Sequence, residues 1–254
     1  MVVNLAAEAG LVIRLKGVTL NYGGGDVVEE VDLEIKKGET KIILGPSGVG
    51  KSTILKAILG VLRPRAGEIH IHGREISRLP EKELVKMRLR MAMVFQQAAL
   101  FDSMTVGENV SYRLREHGLM AYDAIERRVH EVLDFVGLRA AVKLKPAQLS
   151  GGMRKRVAIA RALAPDPEVF LFDEPTVGLD PNNTFNVEQL ILRLKGNRSA
   201  SMVIVTHDVS SAMRLADSIV MLHMGKFIFE GTPEELRRCE DRRVQTFLDP
   251  ARTA

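Results

Sequence analysis

The sequence predicts an α/β fold built on a mainly parallel sheet, with an antiparallel β subdomain and an inserted α-helical subdomain. Two continuous apolar runs, Val169–Phe172 and Val203–Val205, are typical of parallel strands that are covered on both faces. Strand patterns alternate with helical patterns along much of the chain, which favours a parallel sheet. From about residue 97 to residue 149 charged residues become more frequent and strand patterns disappear, which predicts the helical insertion.

The first part of the chain predicts the antiparallel subdomain. Residues 11–38 alternate loosely between polar and apolar and contain three glycines at 23–25, which predicts two short strands joined by a turn. Lys41–Leu44 predicts a short apolar strand after them. Glu68–Gly73 alternates as an edge or antiparallel strand would.

Helices are predicted by apolar residues that recur at helical spacing. One such pattern runs from Ile54 to Leu62, and Pro64 is predicted to close it. Another begins at Ser150 and is stopped by Pro165. Amphipathic helices are further predicted near 81–90, 105–117 and 122–136.

Composition and hydropathy argue against a secreted or membrane-spanning protein. A chain of 254 residues fits one large domain or two small lobes, and 46% hydrophobic residues can fill a sizeable core. The net charge of +4 comes from interspersed acids and bases and does not indicate a nucleic-acid partner. The single Cys239 fits a reducing compartment. No apolar run approaches the ~18 residues of a membrane span, and no secretory signal is recognisable, so we expect any membrane role to require a partner.

A phosphate-binding loop follows the strand at Lys41–Leu44 and precedes a helix, which is the context that this motif requires. Its glycines let backbone N–H groups turn toward a phosphate, and the helix N-terminus adds a positive dipole. We expect Lys51 to neutralise the β- and γ-phosphates of ATP and the Ser52 hydroxyl to hold Mg²⁺. The predicted ATP-binding residues are Gly45, Pro46, Ser47, Gly48, Val49, Gly50, Lys51, Ser52 and Thr53.

Two carboxylates end the apolar strand at Val169–Phe172. Asp173 would be costly in isolation at the end of a buried strand, so we expect it on the side of a Mg²⁺ ion. Glu174 is predicted to face out at the carboxyl edge of the sheet and to activate or orient the water that attacks the γ-phosphate.

A second anion site is predicted at Leu149-Ser150-Gly151-Gly152-Met153. Ser150 is a good helix N-cap, and the two glycines expose the first N–H groups of the helix. One chain therefore contains two helix starts that are suited to phosphate.

The order of these motifs resembles the ATP-binding subunits of ABC transporters over nearly the whole chain. The resemblance implies a P-loop NTPase (RecA-like) core that hydrolyses ATP. It also implies that Tyr22 stacks on adenine, that Gln96 senses Mg²⁺ and the attacking water, and that His207 contacts the γ-phosphate and braces Glu174. An ordinary surface tyrosine is the alternative for Tyr22.

The resemblance further implies a head-to-tail homodimer in which Leu149–Met153 faces the ATP of the other subunit and Asp180 lies in the loop that crosses the interface. The expected nucleotide-binding core comprises 11–96 and 150–232, with the helical subdomain at 97–149. Residues 233–254 form a C-terminal tail that either contacts the neighbouring subunit or is a charged end.

Three departures from the common ABC pattern resemble the ATPases of Mla/MCE-type lipid transporters. Met153 replaces a glutamine, Leu100–Val106 replaces a Leu-Phe-Pro stretch, and Arg243–Asp249 follows the last helix. This resemblance implies phospholipid transport at the cytoplasmic face of the inner membrane. An MlaE-like permease would dock on the helical subdomain, and an MCE-domain protein would belong to the complex, with no nucleic acid.

Three other functions would account for some of the same motifs. An ATPase for import or export of amino acids, metals or drugs would have the same core chemistry. A soluble ABC protein acting on DNA or the ribosome usually carries two ATPase halves, coiled coils or zinc modules, whereas this chain has one phosphate loop and one Cys. A small-molecule kinase would need no motif like Leu149–Met153.

Overall fold

The computed structural model describes residues 10–22, 24–197 and 200–249. These residues fall into two compact units. The first unit contains the chain up to Arg88 together with the chain after Asn197, and the second contains Leu89–Asn197.

Strands and helices alternate along most of the described chain. The strands are β1 (Leu11–Tyr22), β2 (Gly25–Lys36), β3 (Thr40–Leu44), β4 (Ala66–Ile71), β5 (Arg74–Glu75), β6 (Met91–Val94), β7 (Val169–Asp173), β8 (Ser201–Thr206), β9 (Ser218–His223) and β10 (Lys226–Gly231). The α-helices are α1 (Lys51–Ile58), α2 (Glu81–Arg88), α3 (Val106–Glu116), α4 (Tyr122–Phe135), α5 (Gly151–Leu163), α6 (Pro181–Asn197), α7 (Val209–Leu215), α8 (Pro233–Arg238) and α9 (Arg242–Leu248).

The antiparallel sheet of the first unit has the strand order β2-β1-β4-β5. The prediction of two short strands at its start was wrong, because β1 and β2 each contain 12 residues. They pair from the Leu11–Lys36 pair at one end to the Tyr22–Gly25 pair at the other. Register shifts along this pair interrupt the alternation of inward and outward side chains, so the sequence pattern resembles shorter strands. Gly25 belongs to β2 rather than to the turn, and Gly23 lies outside the described residues.

The same unit contains a parallel arrangement in which β3 lies between β8 and β9. All five residues of β3 and all six of β8 are buried, as the apolar runs of the sequence predict. Leu44 at the end of β3 is paired with Thr206 at the end of β8. The segments that follow these two strands therefore leave the sheet side by side. The last strand, β10, runs antiparallel to β9.

In the second unit, β6 and β7 pair in parallel, from Met91 and Val169 to Val94 and Phe172. Helices α3, α4 and α5 pack against one another beside them, which confirms the helical character predicted for this part of the chain. Thr105 caps α3 in a capping box with Glu108. Within the described ranges, no helix is both long and apolar enough to cross a membrane.

Helix α1 ends earlier than predicted. The sequence pattern extends to Leu62 with Pro64 as the stop, but the helix ends at Ile58. The amide of Gly60 donates to the carbonyl of Ala57 and the amide of Val61 donates to that of Lys56, at 2.9 Å each, which is a Schellman motif. Gly60 has φ +65°, a conformation that glycine adopts without cost.

We predict that Gly60→Ala destabilises the first unit more than Gly73→Ala. Both glycines have left-handed backbones, at φ +65° and +74°, so each substitution costs about 1–2 kcal/mol of conformational energy. A methyl group at Gly60 would in addition lie 2.8 Å from Leu84 Cδ2, whereas no atom lies within 4 Å of one at Gly73. Urea unfolding of the two variants measures the difference, and equal losses would contradict the proposed crowding.

Candidate functional site

The phosphate loop connects β3 to α1, and the glycines at its two ends have no room for a Cβ. A Cβ at Gly45 would lie 2.3 Å from the carbonyl oxygen of Leu222 in β9. A Cβ at Gly50 would lie 2.9 Å from Val28 Cγ2 and 3.0 Å from the carbonyl oxygen of Val27 in β2. The glycines at both ends are therefore required by packing, in addition to the freedom that they give to the loop.

Lys51 places its ammonium group over this loop. Its Nζ donates to the carbonyl oxygens of Gly45 and Pro46, both at 2.8 Å, and the residue is only 5% exposed. Ser52 and Thr53 follow in the first turn of α1, where the amide of Thr53 donates to the carbonyl of Gly50 at 3.0 Å. The loop thus wraps around one positive charge beside a helix N-terminus, an arrangement suited to a phosphate group.

His207 leaves the sheet beside the phosphate loop, because Thr206 is paired with Leu44. The turn around it is held by Asp208, whose amide donates to Thr206 Oγ1 at 3.0 Å and whose carboxylate accepts from the amide of Ser210 at 2.9 Å. His207 itself is exposed. The first unit therefore brings the phosphate loop and His207 to the same edge of one parallel sheet. Tyr22 ends β1, but its side chain lies outside the described residues.

Gln96 and Glu174, both in the second unit, lie just beyond the carboxyl ends of the paired strands β6 and β7. Each lies two residues beyond one member of the Val94–Phe172 pair, so the two chain segments leave the carboxyl ends of neighbouring strands. Asp173 is 9% exposed and Glu174 is 8% exposed. The expectation that Glu174 faces out was wrong. Its φ of +47° turns the chain sharply after the strand, so its side chain does not continue the strand's alternation.

The segment that follows Gln96 is also strained. Ala98 and Ala99 have φ values of +61° and +48°, which alanine rarely adopts. Arg161 from α5 donates to the carbonyl oxygens of both, at 3.0 and 2.6 Å. Burial lowers the pKa of Arg161 without removing its charge at neutral pH. A partly buried guanidinium therefore stabilises two consecutive unfavourable backbone conformations.

Ser150 caps α5 as predicted, since its Oγ accepts from the amide of Met153 at 3.2 Å. Leu149 is buried before the cap, while Ser150 and Gly151 are exposed. The helix therefore presents its N-terminus and two small residues at the surface of this unit, as an anion site requires.

Asp180 and Asn183 join the start of α6 to the start of α5. The Asp180 carboxylate accepts from the backbone amide and the side-chain amide of Asn183, at 3.0 and 2.5 Å, and these bonds hold the pKa of Asp180 below its usual range. Asn183 in turn lies so close to Gly152 that a Cβ there would be 2.1 Å from Asn183 Oδ1. Sequence analysis missed Asn183. Asp180-Pro181 is recognisable as a helix start, but a contact with Gly152 is not.

Comparisons with known proteins agree on the family. A family model described as "ABC transporter" matches residues 28–177. The chain is 41% identical over 236 residues to the intermembrane phospholipid transport system ATP-binding protein MlaF of Haemophilus influenzae, covering 93% of this chain and 89% of that one. It is 40% identical to the probable ribonucleotide transport ATP-binding protein mkl of Mycobacterium leprae, covering 96% of this chain and 70% of that one.

A solved structure shows the same fold. The ATP-binding cassette MJ0796, in a dimeric post-hydrolysis state bound to ADP and Pi, aligns with a TM-score of 0.80 and 37% sequence identity. The alignment covers 87% of this chain and 98% of that one. The predicted fold class, a P-loop NTPase with a mainly parallel sheet and an antiparallel subdomain, is therefore confirmed.

We predict that Gly152→Ala destabilises the protein and that adding Asn183→Ala relieves much of the loss. The methyl group of the single variant collides with Asn183, and overpacking of this kind costs about 1–3 kcal/mol. Gly151→Ala is the matched control, because its nearest neighbour is Leu179 Cδ2 at 3.9 Å. Chemical denaturation of wild type, Gly152→Ala, Asn183→Ala and the double variant gives the coupling free energy, and additive effects would contradict the contact.

Proposed function

This chain belongs to the ABC transporter family as one of its ATP-hydrolysing subunits, and from that premise we propose that it powers phospholipid transport. The observation that carries the proposal is the 41% identity to MlaF over 93% of the chain. The departures at Met153 and Leu100–Val106 support the same assignment. In this proposal an MlaE-like permease and an MCE-domain protein complete the transporter.

ATP binds at the phosphate loop in this proposal. Lys51 exchanges its bonds to the loop's own carbonyls for bonds to the β- and γ-phosphates, and Tyr22 stacks on adenine. Mg²⁺, when bound, neutralises phosphate charge. Ser52, Gln96 and Asp173 fit this ion because all three offer hard oxygen donors. Among the described residues no cluster of three or more His, Cys, Asp or Glu side chains could hold a metal.

Hydrolysis is assigned to Glu174, Gln96 and His207. Glu174 orients the attacking water and accepts its proton, Gln96 contacts the water and Mg²⁺, and His207 contacts the γ-phosphate. The burial of Glu174 supports this role, because a buried carboxylate acts on water more strongly than a solvated one. Its left-handed backbone supports the role too, since strain of this kind concentrates at functional sites.

Two copies of the chain bind two ATP molecules head to tail in this proposal. Leu149–Met153 of one copy contacts the ATP of the other, with Asp180 in the loop that crosses the interface. The exposed, capped start of α5 supports this arrangement, as does the dimeric state named for the cassette MJ0796. Residues 233–254 are proposed to contact the neighbouring copy.

The remaining partners follow from the same assignment. The helical subdomain at 97–149 receives the permease, so the chain lies on the cytoplasmic face of the inner membrane without crossing it. Nucleic acid is not a partner in this proposal. Transport of ribonucleotides is the second candidate, because one relative is named for it.

We predict that Glu174→Gln lowers the rate of ATP hydrolysis by about a hundredfold or more, the usual contribution of a general base. ATP binding remains, because the substitution keeps the shape of the side chain. The exposed Glu75→Gln is the control and retains the wild-type rate. Turnover and ATP affinity measured on each variant test the assignment, and a normal rate for Glu174→Gln would overturn it.

Unlike Glu174→Gln, Lys51→Ala is expected to act on ATP binding. We predict that it weakens ATP binding by about tenfold or more, because it removes a charge-assisted contact to phosphate. Equilibrium titration with ATP measures the change. Unchanged affinity would show that the loop does not hold the phosphates.

The substrate is tested by affinity capture of tagged Glu174→Gln from detergent-solubilised native membranes with ATP, and with Lys51→Ala as the control. We expect recovery of an MlaE-like permease, an MCE-domain protein and phospholipid with the first protein. A different permease would overturn the lipid assignment and leave the ATPase chemistry intact. ATP-driven uptake of labelled ribonucleotides by the wild-type complex, reconstituted in vesicles, would favour the second candidate.

A further inference from the structure

Lys155 is a buried lysine in the second turn of α5 that none of the roles above uses. It is 6% exposed, and its Nζ donates to the carbonyl oxygen of Gln96 at 2.5 Å and to that of Glu174 at 3.2 Å. Burial lowers the pKa of Lys155, while the charges of Asp173 and Glu174 act in the opposite direction. A buried ammonium is costly unless it is well paired, so this placement indicates a specific task.

Both carbonyl groups belong to turns that contain unfavourable backbone conformations. Glu174 has φ +47°, and its carbonyl also accepts from the amide of Val177 at 3.4 Å. Gln96 precedes the left-handed Ala98, whose amide donates to the carbonyl of Phe95 at 3.0 Å. Such conformations persist only where surrounding groups hold them.

Lys155 is the group that the two turns share. Arg161 from the same helix also holds the turn after Gln96, but it donates to the carbonyl oxygens of Ala98 and Ala99 and not to that of Glu174. Loss of Lys155 would therefore release both turns, and loss of Arg161 would release only one.

We propose that Lys155 is a positioning residue for hydrolysis, whose ammonium group fixes the backbone at Gln96 and at Glu174 together. This proposal rests on the catalytic roles assigned to those two residues. With both carbonyls held by one ammonium, the two side chains keep a constant relative orientation. Lys155 acts through them and does not touch ATP.

Amide hydrogen exchange of the full-length protein tests the shared contact without requiring catalysis. In Lys155→Met we expect the amides of Ala98 and Val177 to exchange about tenfold faster or more, because a hydrogen bond to a charged group is lost from each turn. Arg161→Met should accelerate Ala98 alone, and Lys155→Arg should restore protection. The exposed Lys82→Met should change neither amide. Unchanged exchange at either amide in folded Lys155→Met would overturn the proposal.

Steady-state ATP hydrolysis by the transporter complex tests whether this positioning contributes to catalysis. For Lys155→Met we expect kcat to fall by about tenfold or more with KM for ATP within about twofold of wild type, since only transition-state positioning is lost. Lys155→Arg should recover part of kcat, and Lys82→Met should match wild type. A wild-type rate for Lys155→Met, or a loss confined to KM, would overturn this inference alone. Absence of hydrolysis by the wild-type complex would overturn the proposed function and this inference with it.

Discussion

Parallel pairing of buried strands is the constraint on which the rest of this structure depends. In a parallel pair, the segments that follow both strands must leave at the same edge. The Leu44–Thr206 pair therefore brings the phosphate loop and His207 together in the first unit. The Val94–Phe172 pair does the same for Gln96 and Glu174 in the second. Residues far apart in the chain thus become neighbours through backbone hydrogen bonds alone.

Crowding of the backbone then decides where glycine is required. Gly45 and Gly50 lie against the main chain of other strands, and Gly152 lies against Asn183. At each position a methyl group would displace a neighbouring segment. Close packing therefore constrains the backbone at both ends of the loop and at the start of α5, the two elements proposed to bind phosphate.

The elements proposed for ATP binding and for hydrolysis differ physically. The phosphate loop is crowded at both ends and surrounds one ammonium group. The turns at Gln96 and Glu174 are instead strained. The buried Lys155 of α5 holds both, and the partly buried Arg161 holds the turn after Gln96. Because α5 also begins at the capped Ser150, one helix connects the surface proposed to face the second ATP with the turns proposed to hydrolyse the first.

The sequence by itself determined the family, the fold class, the buried strands and the cap at Ser150, because these depend on motifs, apolar runs and neighbours a few residues away. The early end of α1 at Gly60 was also readable locally and was overlooked. Only the tertiary structure decided the length of the first strands, the burial of Glu174 and the contacts of Asn183 and Lys155. Each of these depends on the close approach of segments that are distant in the chain, and no local sequence pattern specifies which distant segments come into contact.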